Sequence, residues 1–202
     1  MDSLTLEQKQ AQFAEYFMIH HSLRINIALL PKDASLPPED QLADHMPYAF
    51  RMASELATID AQALRPLRNL SDHASDLADY LNHQARKIDL MMSYILQQQD
   101  DPSQRFETIQ FGGGGVVIRH SEPMQIGLQA ELKLFLPEES AAIYCFGEVI
   151  ACQQESDDYH IAFIFNRIRE QDQELLVRAS LHLQTMQLRK RAQHRQSPDA
   201  SG

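Results

Sequence analysis

Basic residues are scarce in this 202-residue chain: 18 Lys and Arg stand against 28 Asp and Glu, a net charge of −10. An acidic field repels phosphate backbones, so binding to a nucleic-acid polymer is not expected. Cysteine is short as well. Two residues, Cys145 and Cys152, cannot build a disulfide framework or a four-thiolate zinc site, and seven positions apart on a strand they fall on opposite faces. No apolar stretch approaches the roughly 18 to 20 residues of a membrane span. The best run, Ile25 to Leu30, is interrupted by Asn26 and stopped at Pro31. The opening residues MDSLTLEQKQ contain no apolar core of a secretory signal, so a reducing cytoplasm is the expected location.

The signatures of catalysis are missing too. The GGGG run lacks the Lys-Ser/Thr of a phosphate loop, and Val116 begins a strand where a helix N-terminus would be required. Of the nine histidines, His20, His21, His73, His83, His160 and His182 are the more suggestive, yet none lies at a metal-ligand spacing such as HExxH. No GxSxG elbow is present. The reading is a non-enzymatic protein without a cofactor or metal. The 44% apolar content still suffices for a true core.

What is there divides at the glycine run. After Gly115 apolar residues alternate or cluster in short runs, predicting strands over Gly115 to Arg119, Glu131 to Leu136, Ala142 to Cys152 and Tyr159 to Phe165. Short polar connections make them an antiparallel barrel or sandwich. Within the third strand Cys145, Gly147 and Val149 share one face and Tyr144, Phe146 and Glu148 the other, so one face is expected to be core and the other less buried. Residues 16 to 30 read as a strand or hairpin arm able to join this sheet, Leu30 to Glu39 as a Pro-rich loop, and Pro47 to Leu64 as a helix with Phe50, Leu56 and Ile59 as core candidates. Gln171 to Arg195 carries Leu176, Ala179, Leu183 and Met186 at helical spacing, and SPDASG reads as a disordered tail.

Between these lies a heptad stripe. Leu67, Leu70, Ala74, Leu77, Leu81, Gln84, Ile88, Met91 and Ile95 follow spacings of 3 and 4 in alternation. Such a stripe either packs on its own barrel or pairs with other copies, and a polar residue such as Gln84 in the seam helps fix register. Leu70, Leu77, Leu81, Gln84, Ile88, Met91 and Ile95 are the candidate oligomerisation residues, for a dimer or tetramer.

The order of these pieces resembles the PilZ family. The stretch QFGGGGVVIRHSEPMQIGLQAELKLFLP, the later strand holding Gly147, then YHIAFIF and a closing helix follow the family's layout. Pro123 and Gly127 match its P…G turn, and Ala162, Phe163 and Phe165 its late strand. The resemblance implies an α+β fold, an antiparallel six-stranded β-barrel with a C-terminal helix, here preceded by an N-terminal strand and the long heptad helix. Residues 1–100 form the strand and helical oligomerisation region, 101–195 the barrel and helix, and 196–202 the tail.

The family binds cyclic di-GMP through an R-x-x-x-R segment ahead of the barrel and a [D/N]-x-S-x-x-G motif. Guanidinium forks grip guanine edges and phosphates bidentately. In this chain Gly115 matches the final glycine, whereas Gln110 stands for Asp or Asn and Gly112 for Ser. The arginine pair is absent, with Asn82 where the earlier arginine belongs; Arg86, Lys87, Arg105 and Arg119 are the available cations. The candidate ligand residues are therefore Gln110, Gly112, Gly113, Gly114, Gly115, Arg86, Lys87, Arg105 and Arg119, with cyclic di-GMP the implied ligand. Two functions stay open: a nucleotide sensor, or an oligomeric scaffold acting through an unidentified protein partner without the nucleotide.

Overall fold

The computed structural model describes the backbone of residues 4–67 and 75–196, and the side chains of 4–59 and 77–193. The chain opens with helix α1 (Leu6–Glu15), started by a reciprocal capping box: Gln8 N donates to Thr5 Oγ1 at 3.3 Å and Thr5 N to Gln8 Oε1 at 2.8 Å. The periodic pattern had not marked this helix. Strands β1 (Met18–His20) and β2 (Arg24–Leu29) follow, then the short helix α2 (Leu42–His45), helix α3 (Tyr48–Leu67) and helix α4 (Ser75–Gln97). The remainder is β3 (Arg105–Gly112), β4 (Gly115–His120), β5 (Gln129–Leu136), β6 (Ala141–Glu155), β7 (Asp158–Arg167) and helix α5 (Glu170–Gln196).

All pairings are antiparallel, in the order β1-β3-β2-β5-β6-β7-β4, and β4 pairs back onto β3. Six strands therefore close into a barrel, with β1 pairing the far end of β3 beside β2. The expected arm does join the sheet. Because β2 lies between β3 and β5, a boundary at residue 100 does not part the barrel from what precedes it: the first segment supplies one of the barrel's own strands.

Two clusters explain the packing. Inside the barrel, Ile25, Phe111, Ile118, Leu132, Ile143, Cys145, Ile161 and Phe163 meet, and Leu176, Ala179 and Leu183 of α5 close over them. On the outer wall, Phe135, Ala142, Tyr144 and Phe146 pack under Leu42, Phe50 and Ala53 of α2 and α3 and under Met92 and Leu96 of α4. Phe50 stands edge-on to Phe135 at 5.9 Å between ring centres. Both faces of β6 are thus buried, which corrects the expectation of a less buried side: helices roof it. Phe50 is core as expected, Leu56 is half-buried against the outer cluster, and Ile59 is exposed.

A register shift between Val149 and Ala151 corrects a second expectation. A bulge inserts one residue and reverses the alternation beyond it. Cys152 consequently packs against the same interior cluster as Cys145. The expected tail, 197–202, lies outside the described residues, as do Leu70 and Ala74 of the heptad stripe.

Candidate functional site

Gly112 pairs with Gly115 across the β3–β4 hairpin, leaving Gly113 and Gly114 as its turn. None of the four has a left-handed φ. What they allow is close approach, and the chain itself makes it. A β-carbon on Gly112 would run into the carbonyl of Phe17, on Gly113 into Val177 of α5, on Gly114 into the ring of Tyr16, and on Gly115 into the carbonyl of Phe163. The Phe13 ring of α1 also lies against Gly115.

Helix α1 is seated firmly beside them. Lys9 Nζ lies 2.7 and 2.6 Å from the two carboxylate oxygens of Glu148, and Gln10 Nε2 donates to Ile150 O at 2.8 Å. Phe13 packs on Ile150, Ala162 and Ile164, the outward face of β6 and β7. Gln110 stands next to this helix, half-buried on β3 between β1 and β4, its Nε2 2.7 Å from His20 Nε2 on the paired strand.

Arg105 and Arg119, fourteen positions apart, line one open groove of about 630 Å³ at the start of β3 and the end of β4. The groove also holds Glu107, His120 and Asp158, so its two cations face two carboxylates. Arg119 Nε is 3.9 Å from Asp158 Oδ2, a loose and largely exposed pair. Arg105 is more tightly engaged: its Nε donates to Asp100 Oδ1 at 3.1 Å and its Nη2 lies 2.9 Å from Oδ2.

Asp100 is a junction that no local spacing announced. Its side chain is 2% exposed and collects Arg105, Arg24 (Nη1 to Oδ2, 3.1 Å) and Asn26 (Nδ2 to Oδ1, 2.9 Å). Asn26, the interruption in the apolar run, is itself saturated, accepting from Asp101 N at 2.8 Å. The cluster bolts the end of α4 to β2 and β3. Burial raises the pKa of Asp100, but the Arg105 and Asn26 hydrogen bonds and the two guanidinium charges outweigh it and hold the carboxyl below its ordinary value. Arg86 and Lys87 sit on exposed turns of α4 and take no part in the groove. Burial pushes the Cys145 thiol up, which disfavours the thiolate.

The heptad stripe of α4 has the opposite character to its barrel contact. Met92 and Leu96 are 6% and 3% exposed against the wall, whereas Leu77, Leu81, Ile88, Met91 and Ile95 are 38 to 60% exposed and Gln84 is half-buried. Met91 and Met92 are neighbours turned by about 100° on a helix, so the seam runs along the flank beside the barrel contact and stays largely exposed. Leu90 and Tyr94, each 65% exposed, widen it.

Comparison with known families supplies the frame: the PilZ domain model matches residues 82–182, half of the chain. The chain belongs to the PilZ domain family. Among solved structures, a pathogenic protein from Xanthomonas campestris, described as a tetrameric PilZ domain self-assembled via an unusual helical bundle, covers 89% of this chain and 95% of its own at 13% identity, TM-score 0.53. The Bacillus subtilis inhibitor of motility MotI/DgrA covers 40% of this chain and 42% of its own at 21% identity, TM-score 0.38. Curated proteins give no significant match. The fold shared with the Xanthomonas PilZ protein extends across the helices ahead of the barrel. Against the family's binding motifs, this PilZ chain keeps Gly115 of the second motif and brings Arg105 and Arg119 to one groove. It does not bring Arg86 and Lys87 there, and it fills the space around Gly112 to Gly115 with Phe13, Tyr16, Phe17 and Val177.

Proposed function

We propose that this PilZ protein is a non-enzymatic adaptor of cytoplasmic cyclic di-GMP signalling that assembles through α4 into a dimer or tetramer and works through contacts with a protein partner. The observation carrying this reading is the α4 seam: the a/d positions from Leu77 to Ile95, exposed along α4, on a helix whose attachment to its own barrel is made by other residues. Burying such a seam between copies removes the exposed part of each side chain from water, about half of the 1.5 to 3 kcal/mol that full burial gives. That the Xanthomonas fold neighbour is described as assembling via a helical bundle agrees with it. Sedimentation of the protein and of its Leu81→Asp/Ile88→Asp variant tests the assembly.

A second reading, direct sensing of cyclic di-GMP, is favoured by the convergence of Arg105 and Arg119 on one groove. Two features weigh against tight binding. Arg105 is already paired with Asp100, and Glu107 and Asp158 oppose a ligand carrying two phosphates. Calorimetric titration with cyclic di-GMP separates the two readings.

A further inference from the structure

Helix α5 carries a second heptad series, along the largely exposed flank next to its core-facing side. Leu176, Ala179 and Leu183 point into the core, while Val177, Leu181 and Leu188, about 100° or more around the helix, are 44, 50 and 56% exposed, Val177 at the edge beside Gly113. Positions 170, 174, 177, 181, 184, 188, 191 and 195 alternate spacings of 4 and 3, and hold two glutamates, then the apolar middle with Gln184, then two arginines.

This series complements itself when reversed. Laid antiparallel about the point between Leu181 and Gln184, it sets Leu181 against Gln184, Val177 against Leu188, Glu174 against Arg191 and Glu170 against Arg195. Each of these contacts occurs twice by the two-fold axis, as an isologous interface demands. No described residue of the same chain forms an ion pair with Glu170, Glu174 or Arg191. The last described turns of α5, residues 188–193, are exposed on every side yet stay helical. Isolated helix ends have little stability of their own in water, and a partner helix alongside would supply it.

We infer that this exposed flank of α5 pairs antiparallel with α5 of a second copy, an interface separate from the α4 seam. With one symmetric contact on α4 and another on α5, copies join into a closed tetramer with two kinds of interface or into an open chain. The apolar middle is short and its flanks are exposed charges, so the pairing weakens as salt rises from ~0.1 M to ~1 M.

The test uses the full chain carrying Leu81→Asp/Ile88→Asp, so that failure of the α4 reading is seen separately, and follows mass by sedimentation velocity. The parent is expected to dimerise with concentration. Glu170→Arg/Glu174→Arg alone and Arg191→Glu/Arg195→Glu alone should each be monomeric, and their mixture should form a heterodimer. In the chain with α4 intact, each charge inversion alone should lower the mass of the assembly and mixing should restore it, with unchanged circular dichroism. All six substituted sites are helix surface positions in the sequence pattern. A parent that stays monomeric up to its solubility limit overturns the proposal. So does a mixture of the two inverted variants that never associates, or an inverted variant that dimerises as the parent does.

Discussion

Arg105 Nη2 lies 2.9 Å from Asp100 Oδ2, so the guanidinium best placed for a ligand of the β3–β4 groove is committed to the bolt between α4 and the barrel. The same carboxylate holds Arg24 and Asn26. Asp100→Asn should therefore cost about 1 to 3 kcal/mol at pH 7, less than a fully buried pair because both arginines keep water on one side. The pKa of Asp100 is depressed, so its contribution is fully present above the ordinary value of 3.8 and is lost as pH falls through its lower folded value. Urea unfolding at pH 7, 5 and 3 should show the gap between parent and variant constant over the first two and shrinking at the last.

Gly115 has the Phe163 carbonyl and the Phe13 ring where a side chain would go. Gly115→Val forces the hairpin off β7, and a loss of about 1 to 3 kcal/mol follows from overpacking. A thermal melt as high as the parent's would mean the hairpin has slack that the packing does not show.

Lys9 and Phe13 fix α1 to the wall of β6 and β7. Replacing both by Ala removes the charge opposite Glu148 and about 1 to 2 kcal/mol of apolar contact. Limited proteolysis should then cut within residues 1–17 several times faster while the barrel core resists as before. Equal cleavage rates would place the stability of α1 elsewhere.

The barrel was legible because period two survives in strands buried on one or both sides, and the four strands after Gly115 fall where alternation put them. Strand β3 was hidden by its polar Glu107, Thr108 and Gln110, and α1 by having only Leu6 and Phe13 as large apolar residues; its Thr5-x-x-Gln8 capping box was the available signal. The bulge in β6 leaves no mark in the alternation, so the seven-residue spacing alone sets Cys152 opposite Cys145 while the fold turns both to the interior. The groove was half legible: Arg105 and Arg119 stood out as cations near the glycines. Their partner Asp100 did not, because Arg24, Asn26 and Asp100 meet only through the closure of β2 onto the sheet. The glycine run looked like room for a ligand, and only the fold shows which side chains fill it.

Cyclic di-GMP should give little or no heat in calorimetric titration, with the Arg119→Ala variant indistinguishable from the parent. Selective binding at micromolar or lower concentration, abolished by Arg119→Ala, would instead make the groove a nucleotide site and the protein a sensor.

The most direct test of the central claim is the mass of the intact protein in solution, measured by sedimentation beside Leu81→Asp/Ile88→Asp. The account predicts a dimer or larger assembly for the parent, and for the variant a smaller mass with the barrel's circular dichroism retained. A parent that sediments as a monomer, or a variant whose mass equals that of an assembled parent, would contradict assembly through α4.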